Sequence, residues 1–505
     1  MLSLPQMSER AEHNLRKTVE VSLFLAATAC LALWLVRIYY AISFVTPYML
    51  PTTGCEEESL FSIWKFSQHQ AVYADPYRIP FAVSYFNWGY YYSYGFITSI
   101  SLHLLHLDAI WIPTIGRLIT VAFNLINGGI FFLTARAFVK AGLLALGPVA
   151  WAWCLIATVG PLVGFWSITV RPDMGALAFE AAGLYVILRY LRKQDQRLII
   201  VAALLFYAAW AFKQSSVTML TESVLALVLL ERWRAFLVLS GVWWSLVSIT
   251  LILGGHIFRD SILFSQGHLP LLALLGLENA LRAACKNPFF LLGLLAFLVF
   301  SLRRFRLLIT RPVELTLFCV VLFSSSFALV TSCKARANDN YFIPAAWATM
   351  LGVMLIWERM DSRWVLACVV ACSLLTVAGI ALTPTGLTYN YDYRDQDLRY
   401  RSVAEKLSHL PAPAFVILPY GNLPWVQPVS PHFVLGYTYE ADRDAGVPME
   451  DGGWEGLARD GYFGTLVIEQ DYSPALPMLA KYKLVDEYRD PSWDLSFYRR
   501  IGSGP

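Results

Sequence analysis

Apolar residues run along this chain in long uninterrupted stretches, not in the short alternations of half-buried strands. A helix needs about 20 such residues to cross a bilayer. The first stretch covers 19–42, follows Arg10, Arg16 and Lys17, contains Arg37, and ends in bulky residues without a small-residue cleavage site, which predicts a retained anchor. Further crossings are predicted at about 109–135, between 140 and 171, and at 174–192, 235–254, 288–302, 313–332, 341–357 and 364–383. An apolar hairpin over 198–231 has Lys213-Gln214-Ser215 at its tip.

Basic clusters at 136–140, 189–197, 232–234, 303–311 and 359–363 are expected on the inside, together with the N-terminus. The hairpin tip, Arg171-Pro172-Asp173, the loop 255–287 and the segment 334–340 then face outward. Consistency requires an odd number of crossings, about eleven, with 85–105 read as a re-entrant or juxtamembrane helix rather than a span.

From Thr383 the pattern changes. RYRSVAEKLSHL has the period of an amphipathic helix, AFVILP and FGTLVIE read as buried strands, and YKLVDEYRD and WDLSFYRRI alternate. The predicted architecture is a polytopic α-helical membrane protein over 1–383, with a first outer loop at 43–108, and a small extracytoplasmic α/β domain over 384–505.

Composition sharpens this picture. At 57% hydrophobic and 15% charged residues the chain cannot be an ordinary soluble protein. A net charge of +3, without a basic run interleaved with aromatics that would suggest it, gives no reason to expect a nucleic acid partner. The eight cysteines show no CxxC spacing, and none lies beyond residue 384, so no disulfide is expected in the tail.

The candidate chemistry gathers at the outer ends of the spans. The loop after the first span opens with Glu56, Glu57 and Glu58, followed by Asp75; Arg117 lies one or two turns inside the next span. Arg171 and Asp173 head a later span, Lys213 and Gln214 form the hairpin tip, and Lys334, Arg336, Asp339 and Asn340 lie in a late loop. Carboxylates and cations so close to hydrocarbon are costly to desolvate. Together they supply charge-assisted donors for a lipid phosphate or pyrophosphate and a carboxylate able to take a proton from a hydroxyl. Each also has a plainer role: Arg117 can snorkel, Arg171 and Asp173 can pair locally, and Lys213 can be a hydrated turn residue. Tyr85, Tyr90, Tyr91, Tyr92 and Tyr94 read as an interfacial aromatic belt. The intramembrane acid Glu222 calls for a basic partner on a neighbouring helix. The histidines show no metal-ligand spacing; a divalent cation stays open as a cofactor.

These segments, over about 20–380, resemble the GT-C superfamily of membrane glycosyltransferases, above all its bacterial protein O-mannosyltransferase and aminoarabinose transferase branch. EEESLFSIWKFSQHQAVYAD matches the family's DEGxYLY-like frame and following Y-x-D, with Glu56 and Glu57 as the acidic pair; Arg117 matches its arginine, RPDMGALAF its R-x-D, and ANDNYFIP its NYFLP-like loop. Two departures stand out. Glu56 replaces the usual Asp and Glu58 the following glycine, and YFNWGYYYSY replaces the mannosyltransferases' His-Pro-Pro-Leu element.

The resemblance implies a polyprenyl-phosphate sugar donor, its phosphate held among Lys213, Arg171, Arg117 and Lys334 or Arg336. Glu56 or Glu57 would deprotonate the acceptor hydroxyl of an envelope glycan, lipid or protein, with inversion, and Glu58 should tolerate replacement. It further implies a bacterial inner membrane location with the C-terminal domain periplasmic. The rival from another class is a transporter or flippase for a lipid-linked anionic substrate. Such proteins place their polar groups near the midplane of an internal repeat, and no repeat is visible here.

Overall fold

The computed structural model describes residues 9–43, 56–140, 149–264, 267–303, 306, 310–357, 363–382, 401–411, 413–418, 421–436, 438–469, 477–490 and 493–502. Among the described residues five helical segments are long and apolar enough to cross a membrane: Asn14–Tyr39, Ala109–Phe138, Asp173–Lys193, Trp233–Leu253 and Pro312–Ser332. A 21-residue helix is about 31 Å long, matching a hydrocarbon core of about 30 Å. Ala273–Lys286 and Pro288–Arg303 pass the same test only as a pair bent by 100°, which raises the count to six. The chain is therefore a multi-pass membrane protein. Reaching about eleven crossings requires the shorter apolar helices as well, among them Val149–Val159, Gln196–Phe212, Thr218–Leu229 and Leu366–Ala381. The 198–231 hairpin is present as Gln196–Phe212 and Thr218–Leu229, with Lys213 to Val217 between them.

The 85–105 segment forms the helix Trp88–Leu105, capped by the Asn87 side chain, which accepts from Trp88 N. It is not among the helices that qualify as spans. Gly89 lets it approach Gln196–Phe212 closely: a Cβ there would stand 2.7 Å from the Ala211 carbonyl oxygen. This contact brings the helix beside the hairpin tip. The tyrosine belt is corrected by the structure. Tyr85, Tyr90, Tyr91 and Tyr94 are fully buried, and only Tyr92 of the five is exposed. They belong to a core that also contains Leu60 and Ile63 of the Glu57–Ser67 helix and Val403, Leu407, Val416, Val434 and Phe497 of the C-terminal region. Buried aromatic area here serves to weld two parts of the protein rather than to float at a lipid interface.

The C-terminal strands fall on the four apolar segments expected from the sequence: β1 Ala414–Val416, β2 Thr465–Glu469, β3 Tyr482–Asp490 and β4 Trp493–Arg500. The sheet order is β1-β2-β4-β3, with β1 parallel to β2 and the other pairs antiparallel. The domain boundary expected at 383 and the basic cluster at 359–363 lie largely outside the described residues. The sheet's neighbours clasp the first loop: Ala82 bridges Leu435, Tyr85 Oη accepts from Thr438 N, and Ile79 N donates to Glu450.

Candidate functional site

Two groups of charges form among the described residues, joined through the backbone of Val170 and Arg171. The first centres on Asp173, the first residue of its helix, where a carboxylate is favoured by the helix dipole. Asp173 Oδ1 accepts from Lys213 Nζ at 2.7 Å and from Asn340 Nδ2 at 2.8 Å, and its Oδ2 accepts from Arg171 Nε at 3.2 Å. Residues from three distant segments are thus joined: the start of Asp173–Lys193, the end of Gln196–Phe212, and the short helix Asp339–Phe342. Aromatic faces steer the cations, with Arg171 over Phe86 and Trp166 and Lys213 over Tyr341. Two cations meet at one carboxylate here, with Glu58 acting on Arg171 and Glu180 on Lys213 from either side.

The cluster borders a narrow cleft. Asp173, Lys213, Asn340 and Tyr341 line it together with Ser215, Ser216, Thr218, Ser324 and Glu180. Glu180 is a member that the sequence reading does not single out. It stands seven residues, two helical turns, beyond Asp173 on the same face, and that spacing is the signal that could have found it. Its Oε1 accepts from Thr218 Oγ1 and Met219 N. Glu222 finds a different partner from the basic one expected. Its Oε1 accepts from Ser324 Oγ at 2.8 Å, and its buried Oε2 has no hydrogen-bond partner among the described residues.

The second group lies deeper. Glu56 Oε2 accepts from Arg117 Nη2 at 3.0 Å and Glu56 Oε1 from Val170 N at 2.6 Å, both residues of the ion pair being fully buried. This pair ties the start of the Glu57–Ser67 helix to the Ala109–Phe138 span and to the backbone just before Arg171. Glu57 is half-buried. Glu58, expected to be dispensable, is buried and lies near Arg171; it accepts from Ser59 Oγ at 3.1 Å and Tyr91 Oη at 3.3 Å. Burial pushes its carboxyl up to about 7, partly opposed by Arg171, Ser59 and Tyr91. Nearby Lys65 donates to the Val72 carbonyl, and burial lowers it to about 8.

The remaining expected residues are spread around these groups. Gln214 Nε2 donates to Tyr85 O at 2.7 Å, fastening the hairpin tip to the first loop. Asp75 pairs with Arg78 and accepts from Tyr77 N at the surface, apart from the cleft. Arg336 pairs with Glu440 of the C-terminal domain. Lys334 is half-buried, which lowers its ammonium from the usual value, and its backbone bridges Leu271. Asp339 is sealed between Lys286 and Trp166 Nε1. Among the described residues no three His, Cys, Asp or Glu side chains come together as a metal site.

No family model matches the chain, and no curated protein matches it. Among solved structures it aligns with the Archaeoglobus fulgidus oligosaccharyltransferase. The crystal structure tethered to an acceptor peptide containing the NVT sequon gives a TM-score of 0.49 at 13% identity, over 96% of this chain and 74% of that one. The apo form gives 0.48 at 12% identity, over 95% and 75%. Superposition at that level is too loose to assign an activity.

Proposed function

We propose that the chain is a GT-C-type membrane glycosyltransferase that moves a sugar from a polyprenyl-phosphate donor to a hydroxyl acceptor of the cell envelope, on the outer face of the membrane. The observation that carries the proposal is the joining of Arg171, Lys213, Asp173 and Asn340, the last three of which line a cleft between apolar helices. Arg171 and Lys213 offer charge-assisted donors to a phosphate that stays at the membrane surface while its tail lies in lipid. Asp173 and Asn340 hold those donors in place before the donor arrives.

The base comes from the 56–58 triplet. Both Glu56 oxygens are engaged, by Arg117 and by Val170 N. Glu58 fits the role better, because a carboxyl with a pKa of about 7 is matched to taking a proton at neutral pH, and it lies near Arg171. In the proposed step the acceptor oxygen attacks the anomeric carbon and gives its proton to Glu58. The bond from that carbon to the phosphate oxygen breaks, the phosphate leaves with the electron pair, and the configuration inverts. The cell is then a bacterium, with the N-terminus cytoplasmic and the C-terminal domain periplasmic; a reporter fused after residue 108 should behave as periplasmic.

The test is to incubate the purified protein with a polyprenyl-phosphate sugar and a cell-envelope extract and to follow sugar release from the lipid. Release that depends on Lys213 and Arg171 supports the reading. One observation favours the rival: Glu180 lines the cleft and Glu222 accepts from Ser324, another lining residue, two buried acids among apolar helices of the kind a transporter uses to carry protons. Passage of the intact lipid-linked substrate across a vesicle membrane, with its sugar bond unbroken, would replace the enzyme by that transporter.

A further inference from the structure

Helix Ala273–Lys286 has fourteen residues. At 1.5 Å per residue it is about 21 Å long, too short for a hydrocarbon core of about 30 Å. It meets Pro288–Arg303 at 100°. Its two faces differ sharply. Gly276, Asn279 and Ala283 are buried, whereas on the opposite side Leu274, Leu277 and Leu281 are 83%, 55% and 56% exposed. Spacings of three and four place those leucines in one stripe, which Leu271 and Leu272 prolong.

The buried face is held firmly. Asn279 Nδ2 donates to the carbonyls of Ser332 and Ala337, Lys286 Nζ lies 2.5 Å from Asp339 Oδ2, Leu272 N donates to Cys333 O and Ala335 N to Pro270 O. The helix is therefore fixed across the end of the Pro312–Ser332 span, whose last turns carry the exposed Leu329 and Val330. Glu278 and Arg282, paired with each other and half-exposed, flank the stripe.

We infer that Ala273–Lys286 lies in the plane of the bilayer surface with its leucine stripe among the acyl chains, as an interfacial helix and not as half of a broken span. The occupant of the stripe is lipid: the apolar band of the adjoining span ends where the stripe begins, and the Glu278–Arg282 pair takes the headgroup level that such helices give to their charged flank. The helix also carries the 333–340 segment on its buried side, so the depth of Lys334 and Asn340 is set by the membrane surface. That consequence bears on the donor site of the proposed function; the placement of the helix does not depend on it.

The test uses the unaltered full chain in phosphatidylcholine vesicles doped with a phospholipid that carries a photoreactive diazirine either near the headgroup or at the acyl terminus. Crosslinked residues are mapped by mass spectrometry. Adducts on Leu274, Leu277 and Leu281 should form with the shallow probe several-fold more than with the deep one, whereas the middle of Trp233–Leu253 should show the reverse. A deep-probe preference at the three leucines would make the helix part of a span. No adducts with either probe would show that the stripe is covered by something other than lipid. A Leu277→Glu variant should lose its shallow adducts without losing those on Trp233–Leu253, and retained adducts would also overturn the inference.

Discussion

Glu56–Arg117 and Asp173–Lys213–Arg171 are neighbours, linked through the backbone of Val170 and Arg171, yet they are built for different work. Glu56 and Arg117 are shut off from solvent and meet one charge with one charge. In the other cluster the Arg171 and Lys213 side chains keep 12% and 11% of their surface, and two cations answer one carboxylate beside a cleft. A closed, neutral pair has nothing left to offer a ligand. An open cluster that keeps two cations within reach of solvent does. Sequence alone put Arg117 and Lys213 in the same class; burial separates them.

The largest effect should come from breaking the closed pair. Arg117→Ala leaves the Glu56 carboxylate buried without its partner, and a loss of about 3–5 kcal/mol is expected, read as a fall in thermal unfolding temperature in detergent. An Arg117→Ala protein as stable as the parent but without turnover would place this pair in the chemistry and erase the contrast.

Next comes Glu58. Glu58→Gln should lower turnover by about 10²- to 10⁴-fold with donor affinity kept. The pH dependence has two opposite arms. A folded value near 7 exceeds the unfolded carboxylate value, so the folded state binds the extra proton, and the contribution to stability present at low pH is lost as pH rises through about 7. Turnover, which needs the deprotonated base, rises over the same window. Both slopes should flatten in Glu58→Gln; a turnover profile unchanged by the substitution would return the role to Glu56 or Glu57.

Opening the cleft cluster is a smaller change. Lys213→Ala should cost about 1.5–3 kcal/mol of donor binding, roughly tenfold or more, appearing in KM before kcat. Stability should fall much less than in Arg117→Ala, because Asp173 keeps Arg171 and Asn340. Unchanged donor affinity would mean that the cluster is only a structural tie. Least is expected from Arg336→Ala, whose pair with Glu440 is exposed: at most about 1 kcal/mol in the same unfolding measurement.

The sequence by itself determined the membrane class, because runs such as 313–332 admit few other readings, and it determined the strand segments of the tail, two as short apolar runs and two by their alternation. It also named most members of the cleft cluster, since charges close to hydrocarbon are rare enough to be conspicuous in a chain this apolar. What only the tertiary structure decided was which charges meet and how deeply. The tyrosines of 85–94 looked interfacial until the C-terminal domain was packed over them, and Glu58 looked like a spare acid until Ser59, Tyr91 and Arg171 surrounded it. The reason is physical. Hydropathy is a property of single segments and survives in a one-dimensional string, whereas desolvation and pairing depend on neighbours more than a hundred residues away, as Asn340 is from Asp173, and no local pattern encodes them.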